Sequence, residues 1–216
     1  RILEWECTQN IKRLSLPDYT PIDQMWSVNL VMGQFASGAS AQPFKTVQDY
    51  ENWLKRVDQF LVWFASAHGK MEEGIKNGYV LPKSLIVKVI PQMEAMAKED
   101  LENHLYYTPV KLLPESFTEE EKTKLKNDYR SMVLEKIVPA HRDMVKFLKN
   151  VYLPAGRETS GFGSLPEGDR IYQTMITYFT TTNMSAEEIH ELGLKEVARI
   201  SSEMEKISNY IEFFGY

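Results

Sequence analysis

One thiol, Cys7, is all the cysteine in 216 residues. That excludes an internal disulfide framework and leaves the redox compartment open. No apolar segment precedes Cys7, so it does not look like a lipid-attachment cysteine. Positive charge is not in excess either. Lys and Arg number 25 against 30 Asp and Glu, a net charge of −5 with no long basic run, which speaks against nucleic acid as a partner. Long apolar runs are missing too: stretches such as Phe60-Leu-Val-Trp-Phe-Ala65 are far too short to span a bilayer. No β-type alternation persists and no repeat is evident. A complete metal motif is also lacking. His190-Glu191 opens like H-E-x-x-H, which needs a second histidine four residues on so that two imidazoles share one helix face, and that position is Leu194.

What the chain does hold is aromatic area and helical periodicity. Eleven tyrosines, ten phenylalanines and four tryptophans supply large apolar surface and argue against disorder. Val47, Tyr50, Leu54, Val57, Leu61, Phe64, His68, Met71 and Ile75 recur at 3,4 spacing, and Trp53, Phe60 and Trp63 widen that stripe to about half the circumference. The spacing predicts one helix over 46–75, packed on two sides, with Thr46 and Asp49 as a capping box and Gly78 as the stop. A second helix is expected from Pro82 to Ala97, kinked or divided at Pro91. A third opens on the capping box Thr118-Glu-Glu-Glu121. Its stripe is Leu125, Tyr129, Val133, Ile137, Ala140, Met144, Phe147 and Val151, with a bend at Pro139 and an end before Pro154.

After a Gly-rich turn from Gly156 to Gly168, a helix should carry Ile171, Tyr172, Met175, Ile176 and Phe179 towards Thr180-Thr-Thr182. The last helix is capped by Ser185 with Glu188. Ile189, Gly193, Val197, Ile200, Met204, Ile207 and Ile211 should form its buried face, with Lys195, Arg199, Ser202 and Lys206 pointing away. The segments 2–14 and 22–35 can also form helices. The fold class read from this pattern is all-α, a multi-helix assembly of long, partly Pro-kinked helices.

The candidate chemistry is sparse. His190, flanked by Glu187 and Glu191, is either a metal ligand or acid/base group, or a boundary histidine in an acidic first turn; one imidazole without convergent partners is not a zinc site. His68 with Glu72 could supply two ligands or a base and its orienting group, but the pattern equally describes a partly buried histidine satisfied by one carboxylate. Asp100 and His104 repeat that spacing in a loop-like region. His141-Arg142-Asp143 mimics the kinase tripeptide, yet it lies within a helix with no phosphate loop and no Asp-Phe-Gly after it. Gly161, Gly163 and Gly168 follow no strand, so they are no dinucleotide fingerprint. They permit tight turns, or close backbone approach to a ligand beside the following helix N-terminus. Tyr172, one turn into that helix, would offer a phenol near the same place, unless it simply packs with Met175 and Phe179. The substrate-cleft candidates are therefore Tyr172, Gly161, Gly163 and Gly168, with no catalytic and no metal residue assigned.

Several ordered motifs resemble one family. Pro43-Phe-Lys-Thr-Val-Gln-Asp-Tyr-Glu-Asn-Trp-Leu-Lys-Arg56 is similar to its N-terminal signature, followed by Met71-Glu-Glu-Gly-Ile-Lys-Asn-Gly-Tyr-Val-Leu-Pro82. Leu165-Pro-Glu-Gly168 with Tyr172, then Thr180-Thr-Thr182, Glu187-Glu-Ile-His-Glu-Leu-Gly-Leu194 and Glu196-Val-Ala-Arg-Ile200 are similar to a later one. The chain thus resembles, from about Ile22 onward, the bacterial family known as domain of unknown function 885, described among exported lipoproteins. That resemblance implies a helical fold similar to zinc metallopeptidases of the H-E-x-x-H class, with the metal motif and a Pro-Gly-His-His element in a later part of the polypeptide.

No catalytic or metal position carries over to this chain. It is expected to be, over 1–216, a single helical N-terminal portion that walls one side of the cleft. It starts without methionine and reads as a trimmed piece. The resemblance implies zinc and a peptide-like substrate for the full-length protein and no cofactor in this fragment. It also implies a periplasmic or cell-envelope location, any lipid anchor lying on a removed N-terminus. The alternative is a non-catalytic helical binding or scaffold module, complete in itself.

Overall fold

The structure, a computed structural model, describes residues 2–213, with side chains through residue 211. In chain order the helices are α1 (Ile2–Leu14), α2 (Val28–Ala36), α3 (Val47–Asn77), α4 (Lys83–Met96), α5 (Glu119–Ser131), α6 (Val138–Phe147), the single turn α7 (Leu153–Ala155), α8 (Gly168–Thr180) and α9 (Ala186–Phe213). Two π turns, Met132–Ile137 and Leu148–Tyr152, join α5 to α6 and α6 to α7. Among the described residues, extended pairing is limited to one isolated bridge between Pro82 and Arg157. The fold is all-α. The chain divides into a larger unit, Pro17–Ser160, and a smaller one made of the segments that flank it.

The larger unit is built on α3. Thr46 accepts from the Asp49 N–H while the Asp49 carboxylate accepts from the Thr46 N–H, closing the capping box. Those hydrogen bonds hold the Asp49 carboxyl below its ordinary range. At the other end Gly78 sits at φ 80°, a left-handed C-cap that a β-carbon would strain. Between these caps the deepest positions are Tyr50, Trp53, Val57, Phe60, Phe64, Ala67 and Met71. The buried face is thus centred closer to Trp53 and Phe60 than to Leu54, Leu61 and His68, which are only half-buried. Tyr50 donates to the Pro109 carbonyl (3.2 Å) and Tyr129 donates to the Tyr50 carbonyl (3.2 Å), so the core is hydrogen-bonded across three segments.

Prolines shape the rest of this unit. α4 runs on through Pro91 without dividing. The helix from Thr118, whose capping box with Glu121 forms as expected, continues past Pro154 to Ala155 instead of ending before it. Each π turn ends two residues before a proline, at Ile137 before Pro139 and at Tyr152 before Pro154. A proline ring clashes with the carbonyl four residues back, and a wider turn moves that carbonyl aside so that the helix can pass. The inserted residue also rotates the following face by roughly 100°. Hence Val151, expected in the stripe, is 49% exposed, while Leu148 and Tyr152 are buried in its place. Backbone and side-chain hydrogen bonds then clip the two ends of this stretch together. Lys83 N–H donates to the Arg157 carbonyl (2.9 Å) and Arg157 N–H to that of Leu81 (3.2 Å). Arg157 Nε–H donates to the Val80 carbonyl (2.8 Å), and Leu81 N–H donates to the Tyr152 hydroxyl oxygen (3.2 Å).

The smaller unit contains α1, α8 and α9. Helix α1 turns Trp5, Gln9 and Arg13 towards α8: Trp5 stacks on Tyr178 with ring centres 6.1 Å apart, and the Arg13 guanidinium lies 4.4 Å over the same ring. Its aliphatic residues Ile2, Leu3, Ile11 and Leu14 face solvent. Helix α9 begins at the expected cap, with Ser185 N–H donating to Glu188 (2.7 Å) and Glu188 N–H to the Ser185 hydroxyl (3.1 Å). Its expected buried face is not buried. Val197 and Met204 are 64% and 65% exposed, and every residue from His190 to Ile211 is exposed. Periodicity locates an apolar face; it does not supply the surface that covers it.

Candidate functional site

The turn before α8 is folded by its own backbone. Leu165 N–H donates to the Phe162 carbonyl (2.9 Å), Gly168 N–H to the Leu165 carbonyl (3.0 Å), and the Ser164 hydroxyl to the Gly161 carbonyl (3.2 Å). Gly168 is required by space. A β-carbon there would stand 1.9 Å from the Phe162 carbonyl oxygen, a backbone atom that cannot swing away. Gly161 and Gly163 have room around them and no left-handed backbone. Their contribution is the tight 3-10 turn Phe162–Ser164 that they flank. The N-terminus of α8 carries carboxylates of its own, Glu167 and Asp169, and Glu167 accepts from Arg170 Nε–H at 2.6 Å.

That folded turn aims Phe162 at Tyr172. The two rings stack with centres 6.1 Å apart and planes 19° from parallel. They line a concavity of about 370 Å³ with Met175, Ile176, Phe179 and Ile189, the last brought across from α9 by the connection 181–185. Tyr172 is 47% exposed, and among the described residues its hydroxyl has no hydrogen-bond partner. The threonines shape the connection. Thr180 donates to the Ile176 carbonyl (2.8 Å) and its hydroxyl bonds that of Thr182 (2.9 Å), while Thr181 takes a left-handed φ of 58° to end α8. Such a concavity can accept a flat or branched apolar group and offer it one phenolic hydroxyl. It contains no nucleophile paired with a base.

The histidines are structural in the larger unit and solitary in the smaller one. His141 is buried, its Nδ1–H donating to the Ile137 carbonyl at 2.8 Å, and burial pushes its pKa down to about 4. His104 accepts from Tyr106 N–H at Nδ1 (3.3 Å) and donates from Nε2 to the Met96 carbonyl (3.2 Å); burial lowers its pKa as well. His68 sets its ring against the edge of Phe147, centres 4.1 Å apart, beside a second concavity of about 400 Å³ between α3 and α6. The charged groups at its rim are already paired, Lys136 with Asp58 (2.6 Å) and Asp143 with Lys146 (3.1 Å). The kinase-like tripeptide is likewise dispersed, Arg142 bonding Glu99 (2.8 Å). His190 is exposed on α9. Among the described residues no three His, Cys, Asp or Glu side chains converge.

Of the four cleft candidates, the structure brings Tyr172 and the 161–168 turn together through Phe162, a residue the sequence did not single out. Phe179 was placed with the packing residues and is 73% exposed. The signal for both was available: Tyr172, Met175, Ile176 and Phe179 share one helix face, and the turn residues ahead of them include a single aromatic.

The sequence pattern of the family described as "Bacterial protein of unknown function (DUF885)" matches residues 1–215. The chain belongs to that family. No curated protein matches this DUF885 chain in sequence. Among solved structures it is similar to "the putative lipoprotein from Colwellia psychrerythraea", with a TM-score of 0.76 and 24% identity over 91% of this chain and 34% of that one. At that identity the likeness shows a common fold. The DUF885 chain spans about one third of the length of that protein. Among its described residues no helix is long and apolar enough to cross a membrane.

Proposed function

We propose that this DUF885 chain is the helical portion of an exported, zinc-dependent, peptidase-like hydrolase, that it walls one side of the substrate cleft, and that it performs no catalysis alone. The observation that carries the reading is the open concavity at Phe162, Tyr172 and Phe179, whose phenolic hydroxyl is unpartnered among the described residues. An apolar recess with one hydrogen-bonding group suits a peptide side chain next to a backbone amide. Zinc and the groups that act with it belong, in this reading, to polypeptide outside this chain. The description of the Colwellia protein as a lipoprotein supports a cell-envelope location, and the periplasm is the compartment proposed.

The test is made on the full-length protein and on the 216-residue chain. Full-length protein should hold zinc and cleave members of a peptide library, and Tyr172→Ala should raise KM with little change in kcat. The 216-residue chain should hold no zinc tightly and cleave nothing. One tightly held zinc per 216-residue chain overturns the division of labour. A full-length protein without zinc and without turnover returns the chain to a helical binding or scaffold module.

A further inference from the structure

We infer that the apolar stripe of α9 is a docking face for a helical segment of the same, longer polypeptide, in the part that the solved relative carries beyond the third matched by this chain. The inference shares with the proposed function the premise that the chain is one portion of a larger protein, and it needs no peptidase chemistry.

The first argument is an imbalance between the two units. The core of the larger unit runs from Ile22 to Tyr152 without a break in composition. In the smaller unit the buried apolar side chains among the described residues are Ile171 and Ile176. Helix α9 itself has 28 residues, about 42 Å of helix. From His190 to Ile211 every residue of this helix is exposed, whereas helices in water owe most of their stability to packing of an apolar face. Val197, Ile200, Met204, Ile207 and Ile211 are each about half or more exposed along this one helix, and a contiguous exposed apolar face of this kind marks an interaction site.

The second argument concerns what fits. Val197, Ile200, Met204, Ile207 and Ile211 repeat at 3,4 spacing, the seam that another helix fills. A second copy of α9 is a poor occupant. Antiparallel self-pairing brings the flanking Glu196 and Glu203 of one helix against those of the other, and parallel pairing sets them opposite Ser201 and Ser208. Both glutamates are already paired with Arg199 on their own helix, at 2.8 and 3.0 Å. An anionic membrane surface is a poor occupant as well, since 186–211 carries six glutamates against Lys195, Arg199 and Lys206. What remains is polypeptide of the same protein, and the relative that shares this fold is about three times as long as the part matched.

Hydrogen exchange on the full-length protein tests this. Amides of 190–211 should be protected to a degree comparable with those of α3, and the double change Ile200→Asp with Ile207→Asp should abolish that protection while leaving α3 unchanged. Fast exchange at 190–211 in the unaltered full-length protein overturns the inference. So does a dimer, seen by light scattering, that becomes monomeric in the variant, because the face then belongs to a second copy. Zinc content and peptide turnover are read separately, so failure of the hydrolase reading leaves this result standing, and the reverse.

Discussion

Acidification from pH 7 to pH 4 should destabilise the larger unit through His141. The ring is enclosed near Phe60 and Phe64, its centre 4.7 Å from that of Phe64, and its Nδ1–H is committed to the Ile137 carbonyl. Burial penalises the charged form, so the folded pKa falls to about 4 from an ordinary 6.5. As pH drops below 6.5 the unfolded chain takes up the proton first. Stability contributed by the neutral ring is therefore complete above 6.5, declines between 6.5 and 4, and is lost below about 4. The gap of roughly 2.5 pH units corresponds to about 3 kcal/mol. His104 shifts in the same direction through burial and adds to the slope. Urea unfolding at several pH values, followed by tryptophan fluorescence, measures the decline. His141→Gln keeps an N–H donor and removes the titration, so its stability should vary less with pH than the unaltered chain's by about that amount. An NMR titration placing His141 at or above 6.5, or an identical pH slope in the variant, would refute the reasoning.

Phe64→Ala should destabilise the larger unit by about 3–5 kcal/mol, because the ring is 3% exposed and wedged between Phe60 and His141. A loss below about 1 kcal/mol by urea unfolding would show that α3 does not pack on α6 as described. Gly168→Ala should open the 161–168 turn, since the new methyl cannot coexist with the Phe162 carbonyl. Limited proteolysis should then cleave within 157–167 several times faster; an unchanged cleavage rate would contradict the close approach.

The fold was legible where local chemistry and burial agree. Thr46, Gly78, Thr118 and Ser185 mark helix ends because caps are satisfied within four residues, and each stands where the sequence puts it. The stripe of α5 and α6 was read in part. Its phase changes at two π turns whose cause, a proline two residues on, is visible in the sequence while the resulting rotation is not. Burial of α9 could not be read at all, because an amphipathic helix reports an apolar face whether or not its cover is in the same chain. The concavity was legible only in part: Tyr172, Met175, Ile176 and Phe179 share a face that periodicity shows, but the place of Phe162 beside Tyr172 depends on how the turn folds back, which rests on the Gly168 contact.

The clip between 80–83 and 152–157 also bears on the order in which the larger unit assembles. Pro82 and Arg157 stand 75 positions apart, so their bridge closes a long ring of chain. Closing such a ring costs on the order of 4 kcal/mol in chain entropy, more than a few peptide hydrogen bonds return. The bridge therefore cannot nucleate folding. It is expected to lock only after α4 has packed on α6, when the ends are already near each other and most of that entropy is gone. By the same logic it should open before the helix contacts it joins, so the amides of Leu81, Lys83 and Arg157, which donate within the clip, should exchange with water before those inside α3, α4 and α6.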